Sequence, residues 1–472
     1  MKGYRPGMKP QAIQFPPRFL WGAATSAYQI EGSHDVDGRK PSIWDSFARV
    51  PGRVVNGDNG DLACDSYRRV EEDVALLKQL GARAYRFSIA WPRVIPDGRG
   101  PVNPLGIAYY QRLVALLRDA GIAPMVTLYH WDLPQALQDE GGWLNRRTAE
   151  DFAHFAGVMF DALGESVPFW FTVNEPWCAS LLSHAMGEHA PGERDLGRAL
   201  TVAHHLLLGH GLAMTEFRRR KLGGQIGMAP NVDWREPYSQ APQDVAACER
   251  GLDWFNRWFI DPIYHGRYPA DMLARYAELG LAPPVQAGDM ATISQAPDML
   301  GVNYYTGSYG LDRPDPLPLR AQDDARTQMD ALRNLDGVNV GGFAKTDIGW
   351  DIYPEGFYKV LLWLRDEYGN PPLFITENGA CDNTLPGADG RVHDAVRVEY
   401  LHRHVIAVHR AMRSGCDIRG YLAWSLLDNF EWTFGYGKRF GLVHTDFETL
   451  KRTPKDSFHW YSQLIASNGC NA

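Results

Sequence analysis

The chain repeats a unit in which an amphipathic helix is followed by a glycine and then by a short apolar strand. In residues 67–80 the apolar positions recur with the spacing of one helical face. Gly81 ends this helix, and the mostly apolar run 84–89 predicts the strand that follows. The same order recurs in residues 109–129 and 148–175. Helices and strands that alternate in this way predict a parallel sheet with right-handed crossovers.

Eight strands of this kind are predicted. They cover residues 19–24, 84–89, 125–129, 169–175, 225–230, 299–304, 373–377 and 420–425. Eight units favour an α/β fold of the closed (β/α)8 TIM barrel type, with a doubly wound open sheet as the structural alternative. We expect a single domain over residues 1–472, with residues 1–14 as an N-terminal tail and with long βα loops around the rim.

Residues 310–349 are rich in Pro, Asp and Gly, which predicts an irregular stretch. A loop of that length inside a compact domain is often a lid or part of the rim of a site. A surface insertion without a role explains most of it equally well.

The composition narrows the classes of function. A net charge of −8, from 48 Lys and Arg against 56 Asp and Glu, argues against nucleic acid or an anionic membrane as a partner. No apolar run approaches the roughly 20 residues of a membrane helix, and residues 1–15 hold no apolar segment of a secretory signal. Six scattered cysteines without a CxxC pair are typical of reduced thiols, and they favour ordinary packing over a disulfide or a zinc site. We therefore expect a cytoplasmic protein without a metal or other cofactor.

Two of the predicted strands end in a glutamate. Glu175 follows the apolar run 169–173 and precedes Pro176, which disfavours helical backbone at Glu175. Glu377 ends the predicted strand 373–377, and Gly379 allows a sharp turn soon after it. A carboxylate at the end of a buried strand is unfavourable unless solvent or a partner receives it. Two such positions predict a shared polar pocket, and paired carboxylates in one pocket are the usual equipment for cleaving a glycosidic bond.

In a barrel, further polar residues at the C-terminal strand ends meet in the same place. They are Gln29, Arg86, His130, Asn174, Asn303, Tyr305, Trp424 and Glu431. Taken singly, His130 is explained as a hydrogen-bonded buried histidine, Arg86 as an ion-pair partner and Trp424 as core. Taken together they favour a functional site, because so many polar strand ends are otherwise unfavourable to bury.

Six segments carry a resemblance to a known family. They are residues 19–32, 85–91, 127–134, 172–176, 375–379 and 423–432. Their motifs are long and specific, they occur in family order, and they resemble those of the family 1 glycoside hydrolases, in particular bacterial β-glucosidases. The resemblance implies a retaining β-glycosidase that hydrolyses terminal β-D-glucosyl residues of oligosaccharides or of aryl and alkyl glycosides. Tolerance of β-galactosides and β-fucosides is also implied.

The resemblance implies a role for each of the two glutamates. Glu175 would be the general acid/base and Glu377 the nucleophile of a double displacement. Arg86 and Tyr305 would stand beside Glu377 and keep it ionised. The negative charge of Glu377 would in turn help Glu175 to keep its proton near neutral pH. We expect the two carboxyl groups to lie roughly 5–5.5 Å apart, as retaining enzymes require.

The same resemblance implies which residues bind the sugar. The substrate-binding residues are expected to be Gln29, His130, Asn174, Asn303, Tyr305, Trp350, Trp424, Glu431 and Trp432. Among them, Asn174 would contact the 2-hydroxyl, and Gln29 and Glu431 would bind the far hydroxyls. Trp177 and Trp350 would form a looser outer subsite for the leaving group, although ordinary rim packing explains these two equally well.

Two departures known within the family bear on the substrate. Plant thioglucosidases lack the acid glutamate, and since Glu175 is present here, O-glycosides are expected. Phospho-β-glycosidases carry a small or hydroxyl-bearing residue at the position of Glu431 and a tyrosine near Phe440. Here Glu431 would repel a 6-phosphate, so unphosphorylated β-glucosides and cello-oligosaccharides are expected. A transglycosidase with the same residues, a non-catalytic sugar-binding barrel and assembly into a homo-oligomer all stay open.

Overall fold

The computed structural model describes residues 12–338 and 342–471. Eight parallel strands form its centre: β1 (Leu20–Ala24), β2 (Ala84–Ser88), β3 (Ala123–Tyr129), β4 (Phe169–Asn174), β5 (Gln225–Ala229), β6 (Met299–Asn303), β7 (Leu373–Asn378) and β8 (Ile418–Trp424). Each strand pairs with its neighbours in the chain, and β8 pairs with β1. The sheet is therefore a closed barrel rather than an open sheet, as the count and order of the strands predicted.

Helices surround the barrel. The long ones are α1 (Val70–Leu80), α2 (Pro104–Asp119), α3 (Arg147–Leu163), α4 (Leu196–Arg219), α5 (Pro354–Glu367), α6 (Ala395–Arg413) and α7 (Asp456–Ser467). The crossover from β5 to β6 instead holds the shorter helices Pro242–Leu252, Trp258–His265, Ala270–Glu278 and Asp289–Ile293. Gly81 ends α1 in left-handed backbone (φ 79°), which accounts for a glycine between this helix and β2.

The loops at the carboxyl ends of the strands carry further short elements. Helical segments there are Ala27–Ile30, Ile43–Ala48, Trp91–Val94, Gln135–Asp139, Cys178–Ala185 and Asp253–Arg257. A small sheet is formed by Arg235–Pro237, Ser308–Asp312 and Leu335–Val338, and a hairpin by Val443–Thr445 with Arg452–Pro454. The predicted long rim loops thus contain short helices and strands.

An apolar layer fills the barrel below the level of these loops. Met125, Phe171, Met299, Phe374 and Leu422 belong to one buried cluster that the barrel strands contribute. The ring of Phe374 on β7 lies 5.1 Å from that of Phe169 on β4. A second and larger cluster packs between the strands and the helices. The apolar floor means that polar strand-end residues can meet solvent only at the carboxyl end of the barrel.

Two predictions about organisation need correction. Residues 1–11 of the predicted tail lie outside the described residues, but Ala12–Gln14 is a strand that pairs with Gly469–Asn471. The stretch 310–349 is not irregular throughout, because it contains the helix Ala325–Arg333 and the strand Leu335–Val338. The Asp324 side chain caps that helix by accepting hydrogen bonds from two backbone N–H groups. The prediction of one domain over the whole chain stays a prediction.

The structure also bears on the classes excluded by composition. All six cysteines are free thiols, as their spacing predicted. In the described parts of the chain, no helix combines the length and the apolar character that a membrane crossing demands. Over the same residues, no group of three or more His, Cys, Asp and Glu side chains is arranged to hold a metal ion.

Candidate active site

A cavity of about 460 Å³ opens at the carboxyl ends of the barrel strands. The predicted site residues that line it are His130, Glu175, Trp177, Asn303, Tyr305, Trp350, Glu377, Trp424, Glu431 and Trp432. Three others, Gln29, Arg86 and Asn174, are fully buried. Each of these three lies behind the lining and contacts a side chain that belongs to it. The strand-end residues therefore meet in one place, as the barrel rule predicted.

Glu377, in β7, is held from both sides. Arg86 Nη1 lies 2.5 Å from its Oε1, and the Tyr305 hydroxyl donates to its Oε2 at 2.7 Å. The guanidinium is itself fixed, because Nε donates to Thr127 Oγ1 at 2.9 Å and Nη2 to Asn174 Oδ1 at 2.5 Å. Side chains from four strands or strand ends thus fix the orientation of this carboxylate.

Glu175, directly after β4, has neutral partners. Asn303 Nδ2 donates to its Oε1 at 2.9 Å, and the Cys178 thiol donates to its Oε2 at 3.2 Å. Its backbone N–H donates to the carbonyl of Ala229 at the end of β5, at 2.8 Å. Pro176 disfavours right-handed helical backbone here, and Glu175 adopts left-handed backbone (φ 46°). The turn sends the side chain into the cavity.

Burial raises the pKa of both glutamates, but the neighbouring groups that lower the pKa most are different for each. Burial is the largest cause of the shift for each carboxyl group. The pKa of Glu175 is raised to about 8, and the negative charge of Glu377 is the second cause. The Arg86 charge and the Tyr305 hydrogen bond act in the opposite direction on the pKa of Glu377. Glu377 is therefore the first of the pair to lose its proton, and Glu175 keeps its proton near neutral pH.

Glu431 is a third carboxyl group in the cavity. Burial, followed by the charges of Glu377 and Glu175, raises the pKa of Glu431 to about 8. Gln29 Nε2 lies 3.5 Å from Glu431 Oε2, and it also donates to acceptors in residues 429–430 at 3.0 and 2.9 Å. The two side chains predicted to bind the far hydroxyls are thus neighbours. Glu431 lies in the loop after β8, and Gln29 lies in the segment Ala27–Ile30 after β1.

His130 and Asn174 form one hydrogen-bonded unit. Asn174 Oδ1 accepts from Arg86, so its Nδ2 is the atom that donates to His130 Nε2, at 3.1 Å. Burial lowers the pKa of His130 well below its usual range, with the Arg86 charge as the second cause. The imidazole is neutral, and its ring stacks at 5.8 Å on Trp424 and at 6.0 Å on Trp432. These rings form an apolar wall beside the carboxyl groups.

Aromatic side chains also shape the outer part of the cavity. Trp350 lies against Tyr305 at 5.4 Å and against Phe440 at 6.0 Å. Trp177 packs on Phe255 at 4.7 Å and is part of the lining on the other side. The two tryptophans assigned to an outer subsite therefore do border the cavity.

Residues 11–470 match the family model described as glycosyl hydrolase family 1. This chain belongs to glycoside hydrolase family 1.

Relatives of known activity resemble it along their whole length. Beta-glucosidase A of Acetivibrio thermocellus is 44% identical over 457 residues, which cover 97% of this chain and 99% of that protein. A bifunctional beta-D-glucosidase/beta-D-fucosidase of Bifidobacterium breve is 44% identical over 462 residues, with 96% and 98% covered.

Solved structures agree with the family assignment. The family 1 β-glucosidase of Thermotoga maritima is similar with a TM-score of 0.91 and 43% identity, covering 97% of this chain and 99% of that one. The beta-glucosidase of the same organism in complex with castanospermine has a TM-score of 0.90 at 43% identity, covering 97% and 100%.

Among the residues of this family 1 hydrolase that touch predicted site residues and were missed, two contact Glu175 or its neighbour Asn174. Cys178 was interpreted as ordinary packing, yet its thiol contacts the carboxyl of Glu175. Trp131 donates from Nε1 to the carbonyl of Asn174 at 2.9 Å and packs on Trp432 at 4.6 Å. Cys178 begins a helical segment only three residues after Glu175, and this short separation in the chain was the signal that could have revealed the contact.

Three of the 13 non-glycine residues with left-handed backbone in the described chain line the cavity. They are Trp131 (φ 78°), Glu175 (φ 46°) and Trp432 (φ 52°). Such backbone is unfavourable for residues with a Cβ and persists where the surroundings enforce it, often at functional sites.

Gly379 has a different reason from the one predicted. Its φ is not positive, so it makes no left-handed turn. A Cβ at this position would lie 1.9 Å from the carbonyl oxygen of Trp424. Glycine is therefore required because the ends of β7 and β8 approach each other closely, at the level of Glu377.

Proposed function

We propose that this family 1 protein is a retaining β-glucosidase in which Glu377 is the nucleophile and Glu175 the general acid/base. The observation that carries the proposal is the unequal support of two glutamates that line one cavity. Glu377 faces a guanidinium and a phenol, whereas Glu175 faces an amide and a thiol. This difference favours one ionised and one protonated carboxyl near neutral pH, which is the starting state of a double displacement.

In the first step, a carboxylate oxygen of Glu377 attacks C1 of the terminal glucosyl unit. The bond from C1 to the glycosidic oxygen breaks, and Glu175 gives its proton to the departing oxygen. The Arg86 and Tyr305 contacts keep the attacking carboxylate in one orientation before the reaction, so little reorganisation is needed. The products are a free alcohol and a glycosyl ester of Glu377.

In the second step, Glu175 removes a proton from a water molecule, which attacks C1 and releases Glu377. Two inversions at C1 retain the β configuration. The ester carries no negative charge, so the second cause of the raised pKa of Glu175 is absent at this stage. Glu175 is then more acidic, which suits its role as a base.

The sugar is proposed to lie between the carboxyl groups and the apolar wall. Trp424 and His130 supply flat surfaces for the apolar face of the ring. Gln29 and Glu431 are adjacent and would bind the far hydroxyls, and Asn174, next to Glu175 in the chain, would bind the 2-hydroxyl. Hydrogen bonds at the 2-hydroxyl strengthen in the transition state. Trp350 and Trp177 border the outer part of the cavity and are proposed to contact the leaving group.

The expected substrates are β-glucosides, including cello-oligosaccharides, with β-fucosides and β-galactosides tolerated. The printed activities of the relatives, glucosidases and a bifunctional glucosidase/fucosidase, support this range. Degradation of cellulose fragments is the finer physiological role that we propose on the same basis.

The proposal is tested by hydrolysis of a phenyl β-glucoside with the purified protein. NMR of the earliest product should show β-glucose before mutarotation. Early α-glucose would exclude retention and the role of Glu377, and an absence of hydrolysis would favour a sugar-binding barrel without catalysis. A product panel with added acceptor sugars would measure the share of transglycosylation.

A cytoplasmic location is also proposed, and six free thiols support it, because disulfides are rare in that compartment. Assembly into a homo-oligomer stays a prediction, which sedimentation equilibrium would check.

A further inference from the structure

The two oxygens of Glu175 have partners with different hydrogen-bonding abilities. Asn303 Nδ2 bonds Oε1, and the amide is held in this orientation because Thr376 donates to its Oδ1 at 2.6 Å. An amide N–H only donates. The partner of Oε2 is the thiol of Cys178, at 3.2 Å, and a thiol both donates and accepts weakly.

The thiol is fixed in place by its surroundings. Cys178 begins the helical segment Cys178–Ala185, which starts where the chain leaves Glu175, and the N–H of Ala179 donates to the Glu175 carbonyl at 3.1 Å. Asn231, two residues after β5, has its Nδ2 3.7 Å from Cys178 Sγ. An N–H that approaches sulfur leaves the S–H free to turn toward Glu175.

This arrangement suits a carboxyl group that changes protonation state twice in each cycle. The thiol donates to Oε2 while Glu175 is a carboxylate. When Oε2 carries the proton, the S–H must turn away, because two hydrogens cannot share the contact. The S–H can turn away, since rotation about the Cβ–Sγ bond is free. The Asn303 N–H cannot turn away from Oε1, because the amide is held by Thr376. The oxygen beside the thiol is therefore the one that can gain and lose the catalytic proton.

We propose that Cys178 is a positioning residue for the acid/base: its thiol, oriented by Asn231, holds Oε2 of Glu175 and favours the carboxylate form that the second step needs. The inference rests on the role proposed for Glu175 above. A hydrogen bond to the charged form lowers a carboxyl pKa, and the Cys178 contact acts in this direction on the pKa of Glu175.

Other groups also act on Glu175 and must stay constant in a test. The charged and titratable groups that face it are Glu377, Arg86, Tyr305 and Glu431, with His130, Glu188, His189, Asp233 and Arg235 elsewhere in the cavity lining. Substitution of Cys178 changes none of them.

The first test is the pH dependence of kcat/KM for a phenyl β-glucoside, whose leaving group needs a proton. Its alkaline limb follows loss of the Glu175 proton in the free enzyme. In Cys178→Ala the carboxylate loses a donor, so we expect the limb to move to higher pH by about 0.5–1 unit. Cys178→Ser keeps a donor and should restore at least half of the shift. Cys416→Ala removes another buried thiol, bonded to the Leu361 carbonyl, and should leave the limb in place.

A second measurement needs no turnover. ¹³C NMR of labelled glutamate carboxyls, with the Glu175 signal assigned through Glu175→Gln, should show the same upward shift in Cys178→Ala. This measurement separates the role of Cys178 from the proposed β-glucosidase activity, because the pKa of Glu175 can be measured even if the wild type hydrolyses no glucoside. Asn231→Ala, which keeps the thiol but frees it, should give a smaller shift in the same direction and serves if Cys178→Ala does not fold.

Two results would overturn the inference. One is a Glu175 titration that moves by less than 0.2 unit in both Cys178→Ala and Asn231→Ala. The other is an equal shift in Cys178→Ala and Cys178→Ser, since a role that depends only on packing does not distinguish a hydroxyl from a hydrogen.

Discussion

A glutamate side chain lies at the end of β4 and at the end of β7, but the two have different hydrogen-bond partners. Both glutamates are buried and both line the cavity. Glu377 lies within β7 and contacts Arg86, whereas Glu175 lies in left-handed backbone beyond its strand and contacts Cys178. The two carboxyl groups are therefore distinguished by the side chains that contact them, and not by burial at a strand end, which they share.

The contrast teaches that unequal contacts distinguish two carboxyl groups in a shared cavity. Burial raises the pKa of each, and the proton goes to the one with the weaker opposing contacts. In the proposed mechanism Glu377 becomes an ester, its negative charge is lost, and the pKa of Glu175 falls. The experiments below test whether the ordering follows from these contacts.

The largest effect is expected from Glu377→Ala. Without the nucleophile no glycosyl-enzyme forms, and kcat should fall by about 10⁵-fold or more with every glucoside, however good its leaving group. Azide should enter from the opposite face and give the α-glucosyl azide. A variant that kept an appreciable rate, or gave the β-azide, would contradict the assignment.

Glu175→Ala should depend on the leaving group. With phenyl β-glucoside, kcat/KM should fall by about 10²–10⁴-fold, because the acid is lost. Dinitrophenolate leaves without a proton, so its release should show a burst followed by a slow steady state for want of a base. Azide should then speed turnover and give the β-glucosyl azide. Equal losses with both substrates would remove Glu175 from the acid role.

Tyr305→Phe should weaken the difference between the two carboxyls without abolishing it. Its hydroxyl donates to the charged form of Glu377, so its removal should raise the pKa of Glu377. The acid limb of kcat/KM should move to higher pH by about 0.5–1 unit. Tyr304→Phe is the matched control, because the neighbouring hydroxyl bonds the Tyr353 carbonyl instead. If both variants shifted the limb alike, a general effect on packing would explain it.

The smallest effect concerns stability and the third carboxyl. The pKa of Glu431 is about 8 in the folded chain against 4.5 in its usual state, so the native state keeps a proton that the unfolded chain loses between these values. Its contribution to stability therefore falls as pH rises through that window. The Tm of Glu431→Gln relative to wild type should rise by about 2–4 °C between pH 5 and pH 8. Glu399→Gln, at an exposed glutamate, should show no such trend.

The barrel could be predicted because each strand and the glycine before it form a local pattern. The eight strands lie where the apolar runs indicated, and their order along the chain is their order around the barrel. Glu175 and Glu377 stood out for the same reason, since each follows an apolar run that the barrel buries.

The partners of those glutamates were harder to predict, because contacts across strands leave no local pattern. In the sequence Cys178 looks like an ordinary apolar position. It contacts the Glu175 carboxyl because Glu175 adopts left-handed backbone. Gly379 was expected to form a turn. Glycine is required there instead because the backbone of Trp424, 45 residues later in the chain, leaves no room for a Cβ. The Arg86 contact to Glu377 came only from the family resemblance, since it joins β2 to β7.

The stretch 310–349 was misjudged for another reason. Its Pro and Gly content masked the helix Ala325–Arg333, although Asp324 stands at its start as a capping residue. Composition over 40 residues averages away a signal that occupies ten of them.

The short pairing of Ala12–Gln14 with Gly469–Asn471 has a practical consequence. This pair packs near the start of β1, where Trp21 Nε1 donates to Asn468, and thus at the end of the barrel away from the cavity. Ala12 and Asn471 are register partners, so the two ends of the described chain lie side by side. Immobilisation on a support through either end, or fusion to a carrier, would leave the mouth of the barrel facing the solution.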